Sequence, residues 1–405
     1  PGPSPLGPPG AVRLGFGGHE RSMMRKGPPK RLRIALVEPY FDGSHRAWAE
    51  GLAEASSHDV EILSLPAAFW KWRMQGGHIT LADAYREAAE RGGPFDLIIA
   101  TSMLNLAGFL GAIRREALDT SSVLYMHENQ LTYPVSPRDR EDLTYPFINW
   151  TSMAVADEVW FNSAFHYDVW FERVPGMLRR FPDARHDHLL AGVQNRSRIV
   201  PLGVDLRRLD AQPSARASPP LILWNQRWDH DKGPDRLAAA IRALDESGLS
   251  FRLAISGETF ATLPPPFEGL AARLGPRLVH YGFAPEADYR RLLRSADIVL
   301  STARQEFFGI AVTEAVYAGA FPVLPRALVY PERIPPEFHE RCLYGNEVEL
   351  LERLTWAVRR PQEAGAIAVE LGPTMAAHDW SVLAPTYDRE LSRVAAEAPR
   401  TVASQ

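Results

Sequence analysis

The chain has 405 residues, 45% of them hydrophobic and 23% charged, with a formal net charge of -4. That balance belongs to a globular protein of two or three domains; it excludes global disorder and a wholly basic, nonspecific nucleic-acid binder. No apolar run is long enough to cross a membrane as a helix, and the single Cys342 excludes a disulfide framework or a multi-thiolate zinc site and fits the reducing cytoplasm.

Residues 1–30 are rich in Gly and Pro, lack an apolar period and carry no signal-peptide core, so they read as a disordered tail. The chain starts at Pro1, which makes Met23 or Met24 a candidate natural start. Seven basic residues between Arg13 and Arg33 stand against Glu20 alone, so the tail is either solvated or a basic arm that touches phosphates. Of the 45 basic residues only Lys26, Lys30, Lys71 and Lys232 are lysines. Arg is the default cation of this chain, and a Lys is mildly informative.

From residue 31 the pattern alternates strand and helix. Strand-length apolar runs fall at 33–37, 60–65, 97–100, 123–126, 159–161 and 199–202, with amphipathic stretches at 45–55, 81–89, 107–115 and 146–156. Strands that are apolar throughout, alternating with helices, imply a parallel sheet covered on both faces. Residues 207–219 have linker composition. A second series follows, with strands at 221–224, 251–255, 278–281, 298–301 and 321–324 and helices at 235–244, 289–295 and 310–317; beyond residue 346 the chain reads as helical. The expectation is an α/β protein with a tail (1–30), a first Rossmann-like domain (31–206), a linker (207–219), a second Rossmann-like domain (220–378) and a C-terminal helix and tail (379–405). Ligands of such sheets sit outside the carboxyl ends of the strands.

The strand-end loops are therefore the places to look for chemistry. The first strand runs into Gly43-Ser44-His45 at a helix start, where free N–H groups suit an anion; Ser44 as a plain N-cap is the competing reading. The fourth strand ends in His127-Glu128-Asn129-Gln130, four polar side chains that a buried strand does not need. The second series opens with Arg227, Lys232 and Gly233 before a helix, a setting for phosphate charge, with Asp229 and Asp231 as the alternative partners of the cations. Glu306 lies just past a strand, Phe308-Gly309 opens a helix, and Glu314 lies on that helix. A helix N-terminus favours phosphate and carboxylates accept from hydroxyls, which together describe a sugar nucleotide. No GxxxxGK[ST], GxGxxG or HExxH is present, which disfavours phosphate-loop NTPase, dinucleotide and zinc-protease chemistry.

The segment EFFGIAVTEAVYAGAFPVL, with Arg227, Lys232-Gly233 and the run from Val200 to Asp205, resembles the E-x7-E signature of retaining glycosyltransferase family 4. EPYFDGSHRAWAEGL, the FWKWRM run and YMHENQLTYP are similar to the tRNA-queuosine mannosyltransferase family, over about residues 32–375. The resemblance implies a GT-B fold, two doubly wound domains facing across a cleft. It implies transfer of mannose from GDP-mannose to queuosine in a tRNA anticodon, such as that of tRNA-Asp, with retention and with no metal or other cofactor. It implies that Arg227 and Lys232 hold the diphosphate. Glu306, Phe308 and Gly309 would hold the sugar and Glu314 the ribose, with His127 facing the sugar from the other domain beside Gly43, Ser44 and His45. The loop from His280 to Phe283 would lie against the guanine.

For an RNA acceptor, two surfaces suggest themselves. One is the stretch holding Arg173, Arg179, Arg180, Arg185, Arg196, Arg198, Arg207 and Arg208; a solvated Arg-rich surface is the equal alternative. The other is Trp70 and Trp72, which could stack on a base, although burial in a core or interface is the expectation for both.

Overall fold

The computed structural model describes residues 30–134, 141–210, 217–257, 265–267 and 269–397. The tail up to residue 29, with most of its basic arm, and the middle of the expected linker, 211–216, lie outside the described residues.

The first sheet is built from β1 (Arg33–Phe41), β2 (Asp59–Pro66), β3 (Leu97–Thr101), β4 (Ser121–Met126), β5 (Glu158–Phe161) and β6 (Ser197–Ile199). Its order is β2-β1-β3-β4-β5-β6, parallel throughout. The second is built from β7 (Leu221–Asn225), β8 (Arg252–Ser256), β9 (Leu278–Gly282), β10 (Ile298–Leu300), β11 (Phe321–Pro325) and β12 (Leu343–Tyr344), in the order β12-β11-β10-β7-β8-β9 and again parallel. Strands β3, β4, β5 and β7 are buried at every residue, which is why they read as unbroken apolar runs rather than alternating ones.

The strand order reverses between β1 and β3 in the first sheet and between β7 and β10 in the second. These switch points open a crevice at the strands' carboxyl ends. The loops after β1, β4, β7 and β10, which carry the polar residues singled out above, all lie at such ends.

The last helix, Trp380–Ala396, returns to the first sheet. Trp380, Ala384, Tyr387 and Leu391 pack with Ile34, Leu36 and Trp48 in one apolar cluster. Tyr387 is anchored there: its hydroxyl donates to Pro201 O at 2.9 Å and accepts from Trp48 Nε1 at 3.2 Å. Asp379 caps the helix and also accepts the Leu206 N–H at 2.9 Å, which ties the chain's end to the segment that leaves the first sheet.

Three element readings need correction. The helix expected at 81–89 starts at Trp70 and runs to Gly92; its first turns lack an apolar period because Lys71, Trp72, Gln75 and Ile79 face solvent. Residues 164–178 and 187–195 form two helices that the sequence pattern did not announce, the first with Pro175 inside it. The helix after β1 begins at Gly43 with Asp42 as its cap, accepting the Gly43 N–H at 2.8 Å, so Ser44 is exposed and caps nothing.

Candidate active site

On the second-half wall, β7 ends at Asn225 and its loop leads through Lys232 to Gly233. Gly233 has φ +66, and a Cβ there would collide with the Thr302 carbonyl oxygen. The glycine thus lets the β7 loop lie against the β10 loop. Lys232 Nζ then reaches Glu306 Oε2 at 3.1 Å, Gln305 O at 3.0 Å and Asp231 Oδ2 at 3.3 Å. Burial works against the Lys232 charge, but Glu306 and Asp231 outweigh it and hold its pKa above the ordinary value. Burial likewise works against the Glu306 carboxylate; Lys232 and the backbone N–H groups of Phe308 and Gly309 prevail and hold its pKa below the usual range. Glu306 Oε1 accepts N–H groups from Phe307, Phe308 and Gly309 at 3.2, 3.4 and 3.1 Å, so this carboxylate sits on the N-terminus of the helix Ile310–Tyr317. Gly309, at φ +85, makes the sharp entry to that helix. Arg227 is half-exposed, 3.3 Å from Asp229 and 3.9 Å from Asp231.

Glu314 is buried one turn along the same helix. It accepts from Tyr289 Oη at 2.8 Å and from Arg208 Nη2, and burial raises its pKa in spite of the Arg208 charge.

On the first-half wall, Glu38, within β1, is fully buried, accepting the Tyr40 N–H at 2.8 Å and facing His45 Nδ1 at 2.9 Å. Burial pushes the His45 imidazole down; the Glu38 charge and hydrogen bond overcome it and leave the pKa raised. His127, at the end of β4, lies 4.4 Å from His45, 4.6 Å from Trp48 and 4.8 Å from Tyr125 between ring centroids. Its Nε2 is buried with no partner among the described residues. Burial, then the neighbouring His45 and His166, holds its pKa well below the ordinary value. The other residues of the HENQ loop divide. Asn129 is structural, its Oδ1 accepting the Leu131 and Thr132 N–H groups at 3.0 Å each. Glu128 accepts from Tyr133 Oη at 2.9 Å and Gln130 Nε2 at 2.8 Å.

The walls meet at Phe307. Its carbonyl accepts from Ser163 Oγ at 2.7 Å, and its ring lies 4.1 Å from His166 and 5.8 Å from Tyr133. The Arg227 charge bears on Tyr133, Glu128 and Tyr40 of the first half, so this cation faces the opposite wall. The structure therefore brings His45, His127, Arg227, Lys232, Glu306, Phe308, Gly309 and Glu314 to one cleft, while Gly43 and Ser44 are exposed at the start of the helix that carries His45.

Residues 33–204 match the family model described as tRNA-queuosine alpha-mannosyltransferase N-terminal, and residues 207–362 match Glycosyl transferases group 1. A tRNA-queuosine alpha-mannosyltransferase of Drosophila melanogaster is 32% identical over 339 residues, 81% of this chain and 88% of that protein. The chain belongs to the tRNA-queuosine alpha-mannosyltransferase family. Among solved structures, sucrose-phosphate synthase from Thermosynechococcus elongatus superposes with a TM-score of 0.69 at 18% identity, covering 90% of this chain and all of that one. Anabaena HepE in complex with UDP superposes with a TM-score of 0.64 at 15% identity, covering 89% of this chain and 100% of that one. The fold is GT-B, and the protein is a glycosyltransferase. No helix among the described residues is long and apolar enough to cross a membrane.

Within this family member, Glu38, His45 and His127 each offer a ligand atom within 4.8 Å of the others, the donor chemistry that a divalent ion would use. Glu38 was not singled out in the sequence, because its role rests on His45 and His127, which lie away from it in the chain. Arg333 was missed too. It is 8% exposed, donates from Nε to Phe308 O at 3.0 Å, and stacks 3.9 Å from the Phe308 ring. Burial pulls its pKa down to about 10, and its Nη2 has no partner among the described residues. It buttresses the loop that Glu306 caps. Of the expected Arg-rich surface, Arg173, Arg179, Arg180, Arg185, Arg198 and Arg207 are exposed, while Arg196 and Arg208 are half-buried. Arg180 pairs with Glu141, Arg198 with Glu158, Arg207 with Asp379 and Arg208 with Glu314, while Arg196 donates to the carbonyls of Met153 and Ala154.

Proposed function

We propose that this glycosyltransferase moves mannose from GDP-mannose to the queuosine nucleoside of a tRNA anticodon, with retention of configuration. The observation that carries the reading is that residues 33–204, the half bearing His127 and His45, match a domain described for this activity. In this reading Arg227 and Lys232 take the diphosphate charge, Glu306 with the N–H groups at Phe308 and Gly309 takes the sugar, and Glu314 takes the ribose. His127 faces the sugar from the opposite wall, beside Gly43, Ser44 and His45. The loop from His280 to Phe283, with Phe283 exposed, lies against the guanine.

Cleavage of the donor builds positive charge on the sugar and negative charge on the diphosphate. Fixed cations and a helix N-terminus stabilise the second. A neutral His127 next to the sugar does not repel the first, and its low pKa keeps it neutral at physiological pH. Two cations already serve the leaving group, so the reaction needs no metal. The acceptor hydroxyl attacks on the face from which the diphosphate leaves, and a departing diphosphate oxygen takes its proton. A tRNA acceptor also places the enzyme in the cytoplasm.

The test is mass spectrometry of nucleosides from tRNA-Asp incubated with the protein and a nucleotide sugar. The expected result is a hexose added to queuosine from GDP-mannose, with a chelator present or absent, and none from UDP-glucose. Absence of any hexose on queuosine would sink the reading. The solved relative with bound UDP favours a second reading, a uridine-nucleotide donor with a different acceptor. Turnover with UDP-glucose and none with GDP-mannose would select it.

A further inference from the structure

The first turn of the helix Trp70–Gly92 carries aromatic surface that the described residues leave uncovered, so Trp72 is not in the core, one of the two settings expected for it. Phe69, just before the helix, is 81% exposed, and Trp72, one turn on, is 61% exposed. Phe69 has φ 50 and ψ 55, the left-handed region that a non-glycine residue enters at a cost. Its carbonyl still starts the helix, accepting the Trp72 and Arg73 N–H groups at 2.8 and 3.1 Å. The Trp72 indole folds back over Gly76, where an added Cβ would come within 3.0 Å of the ring. Its position is therefore set by its own helix, with the rest of the ring in solvent.

Cations lie among these rings. Lys71 is exposed, with Nζ 5.6 Å from the Trp70 and Tyr145 ring centroids, and Arg73 donates from Nε to Pro66 O at 3.1 Å. Asp142, an exposed acid, also feels the Lys71 charge. The patch is continuous with the cleft wall: Trp70 packs 4.8 Å from Tyr145 and against the cluster that includes Tyr40, whose ring stands 6.3 Å from His45.

We infer that Phe69 and Trp72, with Lys71 and Arg73, form a stacking platform for unpaired bases of an RNA loop at the acceptor end of the cleft. Exposed aromatic faces interleaved with cations suit a partner that offers both a π face and a phosphate at every step. A double helix hides its base faces, so exposed rings beside cations suit unpaired bases rather than a duplex. The inference rests on the tRNA-acceptor reading and adds the surface that would hold the loop around the modified base.

The test compares the full chain with three variants: Phe69→Ala with Trp72→Ala, Phe69→Tyr with Trp72→Phe, and Lys71→Ala with Arg73→Ala. Binding to an anticodon-type hairpin and to a blunt RNA duplex of equal charge is measured over a range of salt. Melting temperature and GDP-mannose binding report on the fold. The alanine pair should weaken hairpin binding by roughly tenfold or more, with duplex binding and salt dependence unchanged, and the aromatic pair should restore it. Loss of Lys71 and Arg73 should instead lower the salt slope by about 0.7 for each phosphate that is no longer neutralised. Unchanged hairpin preference in the alanine pair overturns the platform. So does a shift in oligomeric state without a change in RNA binding, which would assign the patch to a second copy. Hairpin preference that depends on the two rings, with no mannose transfer to tRNA by the wild type, would overturn the acceptor reading and leave the platform standing.

Discussion

On the second-half wall of the cleft the ionisable groups come in close pairs, Lys232 with Glu306 at 3.1 Å and Arg208 with Glu314, whereas the first-half wall presents buried imidazoles, of which His127 and His166 are held neutral and His45 alone has a carboxylate partner. The difference follows the charge each wall would meet: a diphosphate needs fixed cations, while a sugar gathering positive charge needs a wall that does not repel it. The comparison can be broken at either wall. The largest expected effect is at Lys232. Lys232→Met should lower kcat by about 10² to 10³, the scale for removing one stabiliser of developing negative charge. It should also cost about 3 kcal/mol or more of stability, since Glu306 would be left largely buried without its cation. The double variant Lys232→Met with Glu306→Gln should recover melting temperature but not turnover. Recovered turnover would mean that Lys232 serves Glu306 rather than the donor.

His127→Asn tests the other wall. Turnover should fall about 100-fold, within the range for a group placed at the reacting centre. The rise in melting temperature on adding GDP-mannose should persist, because the donor's charge is held across the cleft. A parallel loss of donor binding would move His127 from the sugar to the nucleotide. A smaller effect is expected at Glu314→Gln. About tenfold weaker GDP-mannose binding with kcat nearly unchanged is the signature of a lost charged hydrogen bond to a bound hydroxyl.

The contrast between the walls also explains what the sequence could reveal. The donor wall is built from two short segments, 225–233 and 301–314, whose glycines, cations and acids are close neighbours in the chain, so Arg227, Lys232, Glu306 and Glu314 stood out. The buried strands β3, β4 and β7 were legible for the same reason, because burial on both faces writes an unbroken apolar run. The other wall depends on separation. Glu38 acquires meaning from His45 seven residues on and from His127 far along the chain, and Arg333 from the Phe308 carbonyl it holds. Trp72 was expected in a core or an interface, as large aromatic residues usually are; only packing shows that it stands 61% exposed among the described residues. In the Arg-rich stretch, carboxylates distant in sequence, such as Glu141 and Glu314, pair with some of the charges, while most of the arginines stay exposed.

The mildest prediction concerns pH, and it sets two histidines of the first wall against each other. The folded pKa of His45 is raised above the unfolded value of about 6.5 by Glu38, against the pull of burial. Its contribution to stability is therefore complete below about pH 6.5 and is lost as pH rises through the folded value. His166 has the opposite sign: burial lowers its pKa to about 3, so its stability is present above about pH 6.5 and is lost as pH falls. Melting curves from about pH 5 to 9 should separate the two. The advantage of wild type over Glu38→Gln should be widest at the acid end and shrink as pH rises, while the wild type should lose ground to His166→Gln as pH falls. A gap between wild type and Glu38→Gln that stays flat across the range would mean that Glu38 is held for the Tyr40 N–H it accepts. His45 would then be neutral like its neighbours, and the first wall would carry no positive charge beside the sugar.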